Sequence, residues 1–478
     1  MEFNYNKVTP EIVEQLKAIA PGRAFAGSEI NEDYAHDEMR LYGQQIPDAV
    51  VEVISAEEVS AIVKLANEKN IPIIPRGAGT GLAGGSVAKW GGIMISTVRM
   101  NHIKEYDLGN LTVTVEPGVL LNDLAVDAEK QGLMYPPDPG EKFATLGGNV
   151  STNAGGMRAV KYGTTRDYVR AMQVVLPTGE IVRYGSKVPK TSSGYNFVHL
   201  MCGSEGTLGI ITELTLKLIP QPKEFVSLII PFEDMASCIA AVPQFFLHKL
   251  EPQALEFMGR DIVEMSEAYL EKQTFPRVID GVEAKAYLLV TFDGNDRDQL
   301  DAICEQTSEV VFECGALDVY VADTPDKRRE AWAARSQFLE SIQAATEELD
   351  ECDVVVPRDK IAEYFDWVLT LQDKYNVVIR GFGHAGDGNL HIYACKEKGV
   401  DMSMEEFVKK AELALTEMYQ KATEMGGEIS GEHGIGHSKV KFLETAVGPE
   451  KMRLMRGIKK VFDPNNILNP GKVCEKCD

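Results

Sequence analysis

The stretch Asn70-Ile71-Pro72-Ile73-Ile74-Pro75-Arg76-Gly77-Ala78-Gly79-Thr80-Gly81-Leu82-Ala83-Gly84-Gly85 joins a short apolar run to a glycine-rich loop. The run 70–75 predicts a short buried strand that leads directly into the loop. Five glycines in nine residues indicate a backbone that approaches another group closely. Consecutive N–H groups in such a loop form a nest that binds anions, so we expect it to cradle a pyrophosphate.

Residues 79–84 also match the pattern G-x-G-x-x-G of dinucleotide-binding folds. That fingerprint requires a helix that opens at the loop with its N-terminus facing the pyrophosphate. The following residues 86–92 predict no helix. A cradle without that helix is therefore the preferred interpretation, and a Rossmann unit or a plain surface loop are the alternatives.

Two more glycine-rich runs follow, at 145–156 and 203–212. Small residues with short hydroxyl or amide side chains dominate the first of them, which predicts a segment lying flat along a cofactor. The Pro220-Gln221-Pro222 triplet reads as a domain boundary. Beyond it, residues 225–231, 286–292 and 310–312 predict strands separated by long helical patterns, which is typical of an α+β domain.

Length and composition predict an ordinary soluble protein of two or three domains. The chain has 478 residues, of which 44% are apolar and 25% charged. A formal charge of −23 argues against nucleic acid or an anionic membrane as the main partner, but does not exclude a small anionic substrate. There is no secretory signal and no apolar run of membrane-spanning length, which predicts a cytoplasmic protein without a transmembrane segment. The eight scattered cysteines indicate reduced thiols.

Two glycine-flanked histidine clusters are the strongest candidates for chemistry. The first is His384-Ala385-Gly386-Asp387-Gly388-Asn389-Leu390-His391, and the second is Ile429-Ser430-Gly431-Glu432-His433-Gly434-Ile435-Gly436-His437. His384, His391 and Glu432 make a two-histidine, one-carboxylate donor set that suits a divalent first-row metal. Zinc, iron and manganese all accept these ligands. His437 is either a support behind a ligand or structural.

Taken in order, the chain has three glycine runs, an α+β region, the two histidine clusters and the ending Asp463-Pro464-Asn465-Asn466-Ile467-Leu468-Asn469-Pro470-Gly471-Lys472. This combination resembles the FAD-linked D-2-hydroxyacid dehydrogenases. The resemblance covers about Ala49 to Lys472. It implies a vanillyl-alcohol-oxidase (p-cresol methylhydroxylase) type FAD-binding domain with an α+β cap domain. We accordingly divide the chain into an N-terminal helical extension (1–45), an FAD-binding domain (46–222), a cap or substrate domain (223–425) and a C-terminal helical segment that completes the flavin site (426–478).

The resemblance also implies the cofactor site. Residues 76–92 contain no histidine, so we expect the FAD to be bound non-covalently. The candidate FAD-binding residues are Pro75, Arg76, Gly77, Ala78, Gly79, Thr80, Gly81, Gly84, Gly85, Pro139, Thr145, Gly147, Gly148, Asn149, Ser151, Thr152, Asn153, Gly155, Gly156, Tyr162, Gly163, Glu205, Gly206, Gly209, Ile210, Ile211 and Asn469.

The implied reaction removes a hydride from Cα of a 2-hydroxy acid to flavin N5 and a proton from its hydroxyl. His384, His391 and Glu432 match the family's metal ligands, and the metal would lower the hydroxyl pKa. His433 matches the position of the general base. Arg335 matches the arginine that forks the substrate carboxylate. An ordinary charge on a helix surface is the alternative for Arg335.

One departure from the family bears on the substrate. Dicarboxylate-using members carry an extra cation where this chain has Asp350-Glu351-Cys352-Asp353. This favours a small monocarboxylate, D-lactate first and glycolate second.

The electron acceptor implied by the resemblance is a partner protein, either an electron-transferring flavoprotein or an iron–sulfur subunit. The lone pair Cys474 and Cys477 is a frayed tail, a redox pair or half of a shared metal site. Two alternatives remain for the whole protein. One is a non-catalytic FAD electron-transfer subunit, and the other is an oxidase that uses O2.

Overall fold

The computed structural model describes residues 4–39, 41 and 43–474. Their contacts group into two units. The first comprises Met1–Gly155, Thr164–Gln221 and Glu432–Asp478, and the second comprises Gly156–Gly163 and Pro222–Gly431. The four-part division drawn from the sequence stays a prediction.

A mixed four-stranded sheet forms the start of the first unit. Ala49–Glu52 and Ile73–Arg76 both pair in parallel with Ile93–Ser96, and Ala24–Ala26 adds an antiparallel edge. Helix Ala56–Lys69 packs its apolar face on this sheet, and its fully buried residues recur at helical spacing: Val59, Ile62, Val63 and Ala66. Burying each larger side chain contributes roughly 1.5–3 kcal/mol.

A five-stranded antiparallel sheet completes the first unit. Its strand order is Ile103–Asp107, Thr112–Val115, Ile210–Lys217, Val169–Val175 and Ile181–Gly185. A two-stranded ribbon pairs Leu133–Met134 with Ile219–Pro220. The other helices of the unit are Pro10–Ile19, Leu121–Lys130, Leu146–Thr152, Thr165–Tyr168, Phe197–Met201 and Val440–Phe462.

The second glycine-rich run, predicted to lie flat along a cofactor, forms a helix over residues 146–152. The Thr145 side chain caps it by accepting a hydrogen bond from the Gly148 N–H. The helix ends at Asn153, whose left-handed backbone (φ 56°) suits an asparagine. Most of this run is therefore a short helix.

The C-terminal tail returns to the first sheet. Helix Val440–Phe462 breaks at Gly448, and the chain then runs beside the strand Ile73–Arg76. Ile73 donates its N–H to Ile467 O and accepts from the Asn469 N–H, both at 2.7 Å. The tail is therefore built into the edge of the sheet that carries the first glycine loop.

The second unit is built on a seven-stranded antiparallel sheet, and its strands follow the order Tyr320–Ala322, Glu224–Phe232, Ala286–Gly294, Ala254–Gly259, Val378–His384, Asn389–Glu397 and Thr346–Val355. A small hairpin pairs Val278–Ile279 with Val282–Glu283. Its helices are Ala159–Tyr162, Met235–Leu247, Arg260–Tyr269, Arg297–Glu313, Pro325–Ser336, Phe338–Ala345, Ile361–Tyr375 and Met404–Glu424. The predicted strand 310–312 is wrong, because its apolar residues form the last turn of helix Arg297–Glu313.

Across residues 4–39, 41 and 43–474, the structure has no helix long and apolar enough to cross a membrane. No two of the seven cysteines in those ranges form a disulfide with each other. Cys474 is buried, whereas Cys477 of the predicted C-x-x-C pair lies outside the described residues.

Candidate functional site

A long cleft in the first unit collects the three glycine-rich runs. It holds about 1250 Å³ of space between protein atoms, including the part open to solvent. The predicted FAD-binding residues that line it are Pro75, Arg76, Gly77, Ala78, Gly79, Thr80, Gly81, Gly85, Pro139, Thr145, Gly147, Gly148, Asn149, Ser151, Thr152, Glu205, Gly206, Gly209, Ile210 and Ile211. Residues 77–92 contain no helix, as expected for an anion-binding loop outside a Rossmann unit.

Arg76 supports the first glycine loop from below. Its guanidinium is buried and donates to the carbonyls of His36 (2.7 Å) and Asp33 (2.8 Å), and to the Ser86 hydroxyl (3.1 Å). A Cβ on Gly79 would lie only 2.1 Å from Arg76 Nη2, so this glycine makes room for the arginine. The Arg76 side chain thereby ties the N-terminal segment to the loop.

Two buried charges hold the far end of the same loop. The Gly84 N–H donates to Asp37 Oδ2 at 2.6 Å, and Lys472 Nζ donates to the carbonyls of Gly84 (3.0 Å) and Val87 (2.6 Å). Burial raises the pKa of Asp37 to about 6, against the lowering effect of the Gly84 and Met39 N–H groups and of Lys472. Neither charged residue was predicted, because Asp37 is 47 positions and Lys472 is 388 positions from Gly84 in sequence.

Glu205 links the third glycine run to the second histidine cluster. Its carboxylate accepts hydrogen bonds from the Ile435 and Gly436 N–H groups, both at 2.7 Å. Burial raises its pKa, and these two donors oppose the rise. The Asn469 amide donates to the carbonyls of Glu205 (2.8 Å) and Gly85 (3.0 Å), so the tail holds two runs together.

Glu432 and His433, the predicted metal ligand and base, also line this cleft. Glu432 is buried and packs against Gly155, where an added Cβ would lie 2.9 Å from the carboxylate. His433 is half-buried. The His437 ring lies instead against Gly84, and burial lowers its pKa to about 3. That environment is suited to a neutral packing residue.

Seven predicted FAD-binding residues do not line the cleft: Gly84, Asn153, Gly155, Gly156, Tyr162, Gly163 and Asn469. Tyr162 belongs to the second unit, where its hydroxyl donates to Asp293. The cleft has further lining residues that the sequence prediction missed: Leu82, Ala83, Ser86, Thr97, Pro117, Glu141, Ala144 and Ala154. Most are neighbours of the glycine runs, whereas Thr97 and Pro117 follow strands and are brought in only by the sheet.

The second unit positions His384 and His391 on adjacent antiparallel strands. Strand register pairs Phe382 with His391 and His384 with Asn389, so the two histidines point to the same face of the sheet. Their Nε2 atoms face each other at 3.2 Å, and both rings are buried. Gly388, at φ +89°, closes the tight turn between the strands.

Glu256 supports His384 from the neighbouring strand, where it lies directly opposite in register. His384 Nδ1 is 2.7 and 2.9 Å from the two Glu256 oxygens. Burial raises the pKa of Glu256, but the charges and hydrogen bonds of His384 and Arg335 outweigh it and hold that pKa below its ordinary value. Glu256 was not among the predicted site residues, although it is the one acid inside the apolar strand Ala254–Gly259.

Arg335 is buried in the same cluster, so the surface-charge alternative is wrong. Its Nε atom donates to Glu256 Oε2 at 2.8 Å, and its Nη2 atom lies 2.7 Å from the same oxygen in an ion pair. Its guanidinium also lies 4.6 Å from the ring centre of Phe382 and 5.6 Å from that of Phe338. These contacts hold the planar guanidinium in one orientation.

The two histidines fit a divalent metal by their chemistry. Metal-binding histidines bind with one ring nitrogen and give the other to a carboxylate, which sets the tautomer. His384 has that arrangement with Glu256, and His391 Nδ1 lies 4.0 Å from Glu351. Imidazole suits zinc, iron and manganese alike.

Comparisons with known proteins agree with this architecture. The FAD-binding domain family matches residues 47–185, and the C-terminal domain of FAD-linked oxidases matches residues 221–473. The solved structure of p-cresol methylhydroxylase with bound substrate superposes with a TM-score of 0.79 at 20% identity, covering 98% of both chains. The fold is therefore that of the vanillyl-alcohol-oxidase type flavoproteins.

Sequence relatives identify the group more closely. A D-lactate dehydrogenase of Anaerostipes hadrus is 61% identical over 99% of both chains. A glycolate oxidase subunit of Bacillus subtilis is 37% identical over 98% of both. The chain belongs to the FAD-linked oxidase family.

Proposed function

We propose that this protein oxidises a small D-2-hydroxy acid, D-lactate first and glycolate second, to the 2-oxo acid. The observation that carries the proposal is the buried Arg335–Glu256–His384 chain, which connects the proposed carboxylate-binding residue to a proposed metal ligand. The 61% identity to a protein named D-lactate dehydrogenase supports the same substrate class.

The cleft of the first unit is proposed to hold FAD without a covalent bond. Residues 77–81 line the cleft, and their N–H groups are proposed to bind the pyrophosphate, because backbone N–H groups of such a loop can bind an anion. When bound, FAD supplies the hydride acceptor. Asp37, Lys472 and Asn469 keep the loops in place, so the cofactor meets a preformed surface.

In the substrate site, Arg335 is proposed to bind the substrate carboxylate. Glu256 occupies the Nε/Nη2 edge of the guanidinium, which directs the substrate to the Nη1/Nη2 edge. His384 and His391 are proposed metal ligands, with Glu432 as the sequence-based candidate for the third. A metal held there would lower the pKa of the substrate hydroxyl.

His433 is the proposed general base. Its ordinary pKa near 6.5 suits proton removal close to neutral pH. Replacing it with alanine should lower kcat while leaving FAD bound, because the side chain acts on the substrate proton. Burial of the acids Asp350, Glu351 and Asp353 on one strand supports a monocarboxylate over a dicarboxylate.

Electrons are proposed to pass to a partner protein, an electron-transferring flavoprotein before an iron–sulfur subunit. Support comes from the family resemblance and from the relative named as a subunit of glycolate oxidase. The proposed cytoplasmic location accords with such a partner.

A substrate panel tests the proposed function. Purified protein would be assayed with D-lactate, L-lactate, glycolate and D-2-hydroxyglutarate, using an artificial dye as electron acceptor. We expect D-lactate to give the highest kcat/KM, and Arg335→Met to raise the KM for it at least ~100-fold, since a charge-assisted pair is lost. Turnover of none of the four acids would favour a non-catalytic FAD subunit. Hydrogen peroxide formed in air at the rate of turnover would favour an oxidase.

A further inference from the structure

We propose that Glu256 is a positioning residue that sets two proposed functional groups at once, the metal-binding face of His384 and the free edge of Arg335. This inference rests on the proposed function, because it assigns roles relative to the metal and the substrate carboxylate. It concerns a residue that contacts neither of them directly.

Glu256 contacts the His384 ring at Nδ1. Glu256 oxygens lie 2.7 and 2.9 Å from Nδ1, so a carboxylate acceptor keeps the proton on that nitrogen. Nε2 is then the nitrogen with a lone pair, and it faces His391 Nε2 at 3.2 Å. Glu256 thus selects the tautomer of His384 whose metal-binding nitrogen points toward the second histidine.

Glu256 also contacts the guanidinium of Arg335. One oxygen of Glu256, Oε2, accepts a hydrogen bond from Nε and lies 2.7 Å from Nη2 in an ion pair. These two contacts and the ring of Phe382 beside the guanidinium hold its orientation. The edge that remains for a substrate is therefore determined by Glu256.

Glu256 lies in the interior of the sheet. It is fully buried in the strand Ala254–Gly259, between apolar neighbours. Burying a carboxylate is costly unless it is paired. Both of its charged partners are proposed functional residues, so the pairing of this buried acid ties it to the site.

The test uses Glu256→Gln and Glu256→Ala in the full-length protein. Glutamine keeps an acceptor near His384 Nδ1 but loses the charge, whereas alanine removes both. Glu267→Gln is the matched control, because Glu267 is also buried and bonds Arg277 together with the Thr274 and Phe275 N–H groups. Metal content would be measured by elemental analysis, and Zn²⁺ and Mn²⁺ affinity by titration of chelated protein.

We expect Zn²⁺ affinity to fall ~10–100-fold in Glu256→Ala, less in Glu256→Gln, and to stay unchanged in Glu267→Gln. The KM for D-lactate should rise in both Glu256 variants, while the circular dichroism spectrum and FAD content stay at wild-type values. Wild-type metal affinity and KM in Glu256→Ala would overturn the inference and leave the proposed function intact.

A second measurement separates the two ideas when wild-type protein binds no metal. Selective ¹⁵N labelling of the histidines reads the tautomer of His384 in metal-free protein, with His384→Gln identifying its signals. We expect Nδ1 to carry the proton in the wild type and this preference to be lost in Glu256→Ala. A proton on Nε2 in the wild type would overturn the positioning role. A protonated Nδ1 without any metal affinity would support the positioning role and refute the metal part of the proposed function.

Discussion

Replacing Lys472 with methionine should loosen the first glycine loop and weaken FAD binding. Lys472 is almost fully buried, and its ammonium donates to the carbonyls of Gly84 and Val87. It also lowers the pKa of the buried acids Asp37 and Glu205. Methionine keeps most of the length of the side chain but removes both hydrogen bonds and the charge.

The magnitude follows from these contacts. Hydrogen bonds to a charged group contribute about 1.5–3 kcal/mol each, and removing one partner of a buried charge cluster costs about 3–5 kcal/mol. We therefore expect the free energy of unfolding to fall by about 3–5 kcal/mol. Suppose that about 3 kcal/mol of this loss must be regained to order the loop when FAD binds. The Kd for FAD then rises ~100-fold.

The Kd for FAD is measured by fluorescence titration of the apoprotein. The free energy of unfolding is measured by urea unfolding monitored by circular dichroism. Lys130→Met is the control, because Lys130 is 66% exposed in its side chain and only 3.6 Å from Asp127, a pairing expected to contribute little. A Lys472→Met protein with wild-type Kd and wild-type stability would refute the view that the tail supports the cofactor loop.

Two further predictions concern the same loop. Gly84→Ala should weaken FAD binding at least ~10-fold in the same titration, because a Cβ at φ +70° would lie 2.5 Å from the His437 ring; unchanged binding would show that the ring can move aside. Asp37→Asn should change the pH dependence of stability. The pKa of Asp37 in the folded protein, about 6, is above its ordinary value of 3.8. The wild type therefore loses up to about 3 kcal/mol of unfolding free energy as the pH rises between these two values, whereas asparagine does not titrate. Urea unfolding of both proteins at about pH 4 and pH 7 measures this, and parallel changes would contradict the assignment.

Local pattern predicted much of the fold. The helix Ala56–Lys69 is an example of such a pattern, because Ser55 caps its N-terminus and apolar residues recur at helical spacing. The absence of a helix after the first glycine loop was also predicted correctly. The helix Leu146–Thr152 was not, since three small residues in a row have little intrinsic helical preference and its stability comes from packing.

The candidate site was predicted where its residues are close in sequence. His384 and His391 were found because a tight turn brings them together within one hairpin. Glu256 was missed because it is 128 positions away from His384 and reaches it only through strand pairing. Asp37 and Lys472 were missed for the same reason, since no local period marks a buried charge that serves a distant loop.

The central claim is that the protein takes a hydride from a D-2-hydroxy acid onto its FAD. Anaerobic stopped-flow mixing of the FAD-loaded protein with D-lactate tests it most directly, with L-lactate as the control. We predict rapid bleaching of the visible flavin absorbance with D-lactate and none with L-lactate. An absorbance that stays constant with D-lactate, glycolate and D-2-hydroxyglutarate alike would contradict the claim.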